Sequence, residues 1–89
     1  MKCYASIGEI NKNKGITRCE IVPIDPKEII DEEMIFIELN MIKEICEEIE
    51  EGDIFVVEYN VANGITYVYS KDDVEKQRRI AELEEIMNS

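Results

Sequence analysis

Histidine is absent from this chain, which removes the commonest general base and the commonest neutral metal ligand. A Ser-His or Cys-His nucleophile is therefore excluded. Glycine occurs only as the isolated residues Gly8, Gly15, Gly52 and Gly64, at turns or within a strand, so there is no glycine-rich phosphate loop. Cysteine is limited to Cys3, Cys19 and Cys46, an odd number with no C-x-x-C spacing, which argues against a disulfide framework and a zinc or redox site. All three are expected to be buried thiols, and their apolar surroundings give no cation to activate them. No stretch approaches the roughly 18 apolar residues of a membrane helix, and residues 1–10 lack a basic-then-apolar export pattern, so a cytoplasmic location is expected. If the chain is phage-encoded, that is the host cytoplasm. Positive charge is scarce: 10 Lys and Arg stand against 21 Asp and Glu, a net charge of -11. Such a field repels nucleic acid and anionic membranes, so neither is expected as a direct partner.

What is present suits a small folded unit. Eighty-nine residues allow one domain with one core, and 45% hydrophobic content spread along the chain can offset the entropy of ordering it. Residues 2–10 alternate, with Cys3, Ala5 and Ile7 on one face and Tyr4, Ser6 and Gly8 on the other, which predicts a half-buried strand. A polar turn ending in Gly15 leads to a second strand over 16–24, and the hairpin places Cys19 opposite Ile7 and Cys3 opposite Pro23. Asp25-Pro26-Lys27-Glu28 reads as a cap and a first helical turn, allowing one turn over 26–30. The apolar run 34–39 predicts a central strand buried on both faces. Met41, Ile42, Ile45 and Ile49 then recur at spacings of three and four, predicting a helix over 41–51 capped by Asn40 and stopped by Gly52. Strands over 53–61 and 65–69 flank Ala62-Asn63-Gly64, with Ala62 paired to Ile65. A helix over 71–87, capped by Ser70, is charged first and apolar late, at Ile80, Leu83, Ile86 and Met87. Its start is therefore expected to stand away from the core, leaving 71–89 partly detached.

The resulting fold class is α+β: a small five-stranded, partly open β-barrel, OB-like or SH3-like, with a helix between strands 3 and 4 and a C-terminal helix. From Glu50-Glu51-Gly52-Asp53-Ile54 through Tyr67-Val68-Tyr69 to Asp72-Asp73-Val74-Glu75-Lys76-Gln77-Arg78-Arg79-Ile80, the second half of the chain resembles a family of short acidic bacterial domains of unknown function. Its members are a small β unit ending in a charged, Arg-containing helix. Some neighbour or are fused to metallo-β-lactamase-fold hydrolases, so the resemblance implies an accessory or partner-binding role. The longer, more acidic middle segment here departs from that pattern, and the resemblance names no active residue.

Carboxylates are the remaining source of chemistry. Asp31-Glu32-Glu33 and Asp72-Asp73 lack the alternate spacing and internal glycine of a calcium loop, and paired-acid glycoside chemistry needs a cleft that a domain this small rarely forms. No catalytic residue, metal or cofactor is therefore expected. Charge is uneven, with residues 25–53 carrying two bases and twelve acids. Glu28, Asp31, Glu32, Glu33, Glu44, Glu47, Glu48 and Glu51, with Asp25, Glu50 and Asp53, are expected to form a negative ridge that imitates phosphate spacing and attracts a basic protein. Tyr67 and Tyr69, with Val56 and Ile65, form a second candidate surface unless the last helix covers them. The leading reading is a non-enzymatic module that inhibits a nucleic-acid-binding protein, as anti-CRISPR and anti-restriction proteins of similar size and acidity do. The alternatives are an accessory domain that self-associates through the last hairpin or helix or docks to an enzyme, and a small-ligand barrel.

Overall fold

The computed structural model describes residues 1–30 and 34–88. Five strands, β1 (Lys2–Asn11), β2 (Ile16–Pro23), β3 (Met34–Glu38), β4 (Ile54–Asn60) and β5 (Gly64–Lys71), form one curled antiparallel sheet. Its order is β3-β2-β1-β4-β5, so β3 and β5 are the two free edges of a half-barrel. The short helix α1 (Leu39–Lys43) lies against both edges, and α2 (Asp73–Asn88) follows β5. This is the partly open five-stranded barrel expected from the element order.

Alternation fills the concave face. Cys3, Ala5 and Ile7 of β1, Cys19 and Ile21 of β2, Phe55, Val57 and Tyr59 of β4, Ile37, Val68 and Ile42 of α1 make one buried cluster. The first hairpin has the expected register, with Cys19 opposite Ile7 and Cys3 opposite Pro23. A bulge then falls between Ile7 and Ile10, and the buried Thr17 hydroxyl donates to the Glu9 carbonyl there at 3.0 Å. Burial pushes the Cys19 thiol up to about 12 and raises that of Cys3 as well. Cys46 departs from the expected burial: it lies beyond the end of α1, half-exposed, its thiol donating to the Glu48 carbonyl at 2.8 Å. A thiol reagent at pH 8 should therefore modify Cys46 in the folded chain and reach Cys3 and Cys19 only on unfolding. Mass spectrometry of the digested protein reads this directly, and early labelling of Cys19 would contradict it.

Four local expectations are corrected. β3 is an edge strand and not a central one: Ile37 is buried while Phe36, on the outer face, is 64% exposed. The helix expected over 41–51 is the five-residue α1, preceded by Glu38 where Asn40 was expected to cap. Extending it would set Glu44, Glu47, Glu48 and Glu51 three and four residues apart and crowd negative charge at the negative end of the helix dipole. The chain turns instead, with the Ile45 and Cys46 amides both donating to the Ile42 carbonyl. No helical turn forms over 26–30, although Asp25 does accept from the Lys27 amide at 2.9 Å as a cap would.

The last hairpin is also tied differently. A two-residue turn at Asn63-Gly64 needs positive φ at both residues, and only Gly64 has it, at 76°. Residues 61–63 form the loop instead, with Asn60 opposite Gly64 and its side chain accepting from the Ala62 amide. Two register shifts in β5 follow, so Ile65, expected on the outer surface, turns toward the core, and Val61 in the loop is exposed.

Candidate functional site

Two features position the charged surface, and both start from residues 50–53. Gly52, with φ of 95°, turns the chain so that its amide donates to the Ile7 carbonyl and the Ile7 amide donates to the Asp53 carbonyl, each at 2.8 Å. The Asp53 side chain is thereby delivered inside. Expected on the acidic ridge, Asp53 is 0% exposed. Its Oδ2 accepts from the Glu50 amide at 2.9 Å, its Oδ1 from Lys76 Nζ at 2.7 Å, and Lys71 Nζ lies 3.8 Å away. Burial alone would raise its pKa, but the Lys76 hydrogen bond, the Glu50 amide and the charge of Lys71 outweigh burial and hold it below the ordinary value. Lys76 also donates to Glu50 at 2.8 Å.

This cluster fastens the start of α2, the reverse of the expected detached start. Asp72, not Ser70, is the cap: its carboxylate accepts from the Glu75 amide at 2.9 Å, while the Asp72 amide donates to the Ile54 carbonyl at 2.7 Å. Glu75, nearly buried, accepts from Arg78 and from Arg79, whose guanidinium lies over the Tyr4 ring at 5.6 Å. The Arg78 hydrogen bond, helped by Arg79 and opposed by burial, pulls the Glu75 pKa down to about 2. Arg78 also pairs with Glu82 one turn on. Sequence reading missed this ion cluster because Asp53 and Lys76 are 23 residues apart and each looks like ordinary surface charge.

The remaining predicted acids separate into groups. Glu28 and Asp25 follow β2 at one end of the sheet, while Glu44, Glu47, Glu48 and Glu51 are exposed in the segment after α1 at the other. β2 and β3 run between these ends, and eight strand residues span roughly 26 Å, so the two groups are not contiguous. Asp31, Glu32 and Glu33 lie outside the described residues. Glu47 and Glu48 border a concavity of about 490 Å³ together with Lys12 and Lys43.

Tyr67 is 57% exposed and Tyr69 is exposed beside it, their rings 4.8 Å apart edge to face, so α2 does not cover this surface. Lys2 Nζ stands 4.9 Å from the Tyr69 ring, and the Tyr69 hydroxyl donates to Glu58 at 3.3 Å. Tyr67 also reaches the open seam of the barrel. There α1 and β5 enclose a groove of about 280 Å³ lined by Asn40, Met41, Glu44, Ile45, Thr66, Tyr67 and Val68. Glu44, from the acidic group, and Tyr67, from the aromatic group, thus face one concavity, a juxtaposition created by the shortness of α1 and invisible in the sequence. Among the described residues no three His, Cys, Asp or Glu side chains are grouped to hold a metal ion, and no helix is long and apolar enough to cross a membrane. Comparison with protein-family models, with curated proteins and with solved structures finds no match to this chain.

Proposed function

We propose that this chain is a non-enzymatic acidic module that binds a basic protein surface, and that it acts as an inhibitor of a nucleic-acid-binding protein. The observation that carries the reading is the seam groove, with Glu44 on its α1 side, Tyr67 on its β5 side, and Met41, Ile45 and Val68 between them. That lining suits an arginine or lysine, whose methylene stem packs on apolar carbon while its head meets a carboxylate and an aromatic ring. Glu47, Glu48 and Glu51 extend negative charge beyond the groove, and the net charge of -11 speeds encounter with a cationic partner. The small size and acidity of the chain fit occlusion of a cationic nucleic-acid channel.

The test is copurification of the tagged chain from the cell that makes it. The captured protein should be basic, should dissociate as salt rises toward about 1 M, where screening acts within about 3 Å, and should be lost from a Glu44→Lys, Glu47→Lys, Glu48→Lys variant. Tyr67→Ala should weaken capture by about tenfold or more, as truncation of an interface tyrosine does. A complex that tolerates both high salt and the triple charge reversal removes the acidic surface from consideration.

A further inference from the structure

We infer, resting on the function proposed above, that the seam groove receives an extended segment of the basic partner, which pairs with the free edge of β5 as an added strand while an Arg or Lys of that segment meets Glu44. Thr66, Tyr67 and Val68 all line the groove of about 280 Å³, although Tyr67 is 57% exposed on the outer face and Val68 is buried in the core. Consecutive strand residues point to opposite faces, so a concavity that all three share runs along the edge of the strand, where N–H and C=O groups project. Among the described residues, no hydrogen bond joins the backbone of 65–70 to anything but β4. The edge groups in the groove are therefore free to bond to an incoming backbone.

The opposite wall selects the segment. Asn40, Met41, Glu44 and Ile45 stand there as one face of a helical turn, with a single carboxylate beside apolar carbon. Among the described residues Glu44 makes no ion pair, and Glu47, Glu48 and Glu51 follow in the same exposed stretch. A cation complements this wall, and the carbon beside Glu44 suits the methylene stem of Arg or Lys. Charge also decides between the two free edges of the sheet. β3 borders a concavity where Lys14 and Arg18 outnumber Glu9, so a basic segment is drawn to β5 instead. The two register shifts in the pairing of β4 with β5 leave Tyr67 and Val68 as the regular stretch between them. Three residues span only roughly 10 Å, so the added strand is short, and a free peptide is expected to bind with a Kd of about 100 µM.

The probe is an acetylated and amidated hexapeptide alternating Val and Arg, titrated into the full chain and followed by amide NMR. Two variants carry backbone N-methyl groups, one on every Val and the other on every Arg. Alternate N–H groups of an extended strand point to opposite edges, so one variant should lose affinity by about tenfold or more and the other should keep it. With the parent peptide at about 1 mM, ten times the expected Kd, exchange of the seam-side amides in 65–69 should slow by about tenfold while exchange in 34–38 stays unchanged. Glu44→Lys should weaken the parent peptide by about tenfold. Methylated variants that behave alike overturn the inference. If both still bind, the groove takes basic side chains without strand pairing, and the proposed function stands. Protection in 34–38 in place of 65–69, or no binding at about 1 mM, also overturns it. Partner capture that ignores reversal of Glu44, Glu47 and Glu48 would instead remove the reading beneath it.

Discussion

Asp53→Ala is expected to destabilise the chain by about 3 kcal/mol and to lower its melting temperature by about 10–20 °C, while Lys71→Met, at the long 3.8 Å contact, costs far less. Removing the carboxylate strands Lys76, whose side chain is only 16% exposed, and leaves the Glu50 amide without its acceptor. Glu50 remains as a partner for Lys76, which places the effect at the lower end of the range for breaking a buried pair. The loss has a definite structural address. With Asp53 gone, the start of α2 is left with the Asp72 cap, the exposed Lys76–Glu50 pair and Arg79 over Tyr4, and amide exchange in 73–79 should accelerate before exchange in β1 or β4. The same cluster sets the acid limit. Asp53 and Glu75 both have folded pKa values below their unfolded ones, Glu75 falling from 4.5 to about 2, so each contributes stability that is complete above its unfolded value. That contribution is lost as pH falls from about 4.5 toward 2. Thermal melts should therefore be flat above about pH 5 and fall steeply below pH 4, and the acid slope should be shallower in Asp53→Ala.

The fold was legible wherever a local pattern and its tertiary use coincide. In β1 and β2 the alternation of Cys3, Ala5 and Ile7 with Cys19 and Ile21 fixes one buried face, and a slip by one residue would expose all of it, so the register could be read without coordinates. Element order likewise pointed to a partly open barrel. The pattern misled where two causes compete. Met41, Ile42, Ile45 and Ile49 keep helical spacing, but four exposed glutamates in the same stretch oppose a helix continued past Lys43, and the repulsion prevails in the structure. In β5 the Asn-Gly pair suggested the tightest turn, yet Asn60 supplies a side-chain acceptor that stabilises a longer loop.

The candidate site was legible only in part. Residue types were informative, since Glu44 and Tyr67 were each singled out for charge and for aromatic surface. Their meeting depends on α1 ending after one turn and packing across the seam, a tertiary fact without a local signal. Asp53 illustrates the opposite failure. It belongs to the acidic stretch by sequence and to the interior by structure, because the turn at Gly52 reverses the chain and Lys76 arrives from α2 to neutralise it.

Ile42→Ala is the second large effect, and it connects the fold to the groove. Ile42 is 1% exposed and is the side chain through which α1 joins the core cluster, so its truncation should cost about 2–4 kcal/mol in lost burial and residual cavity. A helix of five residues cannot persist on its own propensity, because nucleation costs more than one turn returns. Loss of the anchor should therefore release α1 from the seam and not merely soften the core. Met41, Glu44 and Ile45 form one wall of the groove, and that wall would move away from Tyr67 and Val68. If the groove receives a basic side chain, Ile42→Ala should weaken partner binding although it alters no charge and touches no groove atom. Val57→Ala, buried in β4 away from α1, supplies the control: it should lower stability with little change in affinity below its melting point. Calorimetric melts and partner titrations on the two variants separate the outcomes. Equal affinity in both would mean that the arrangement of α1 across the open seam plays no part in recognition.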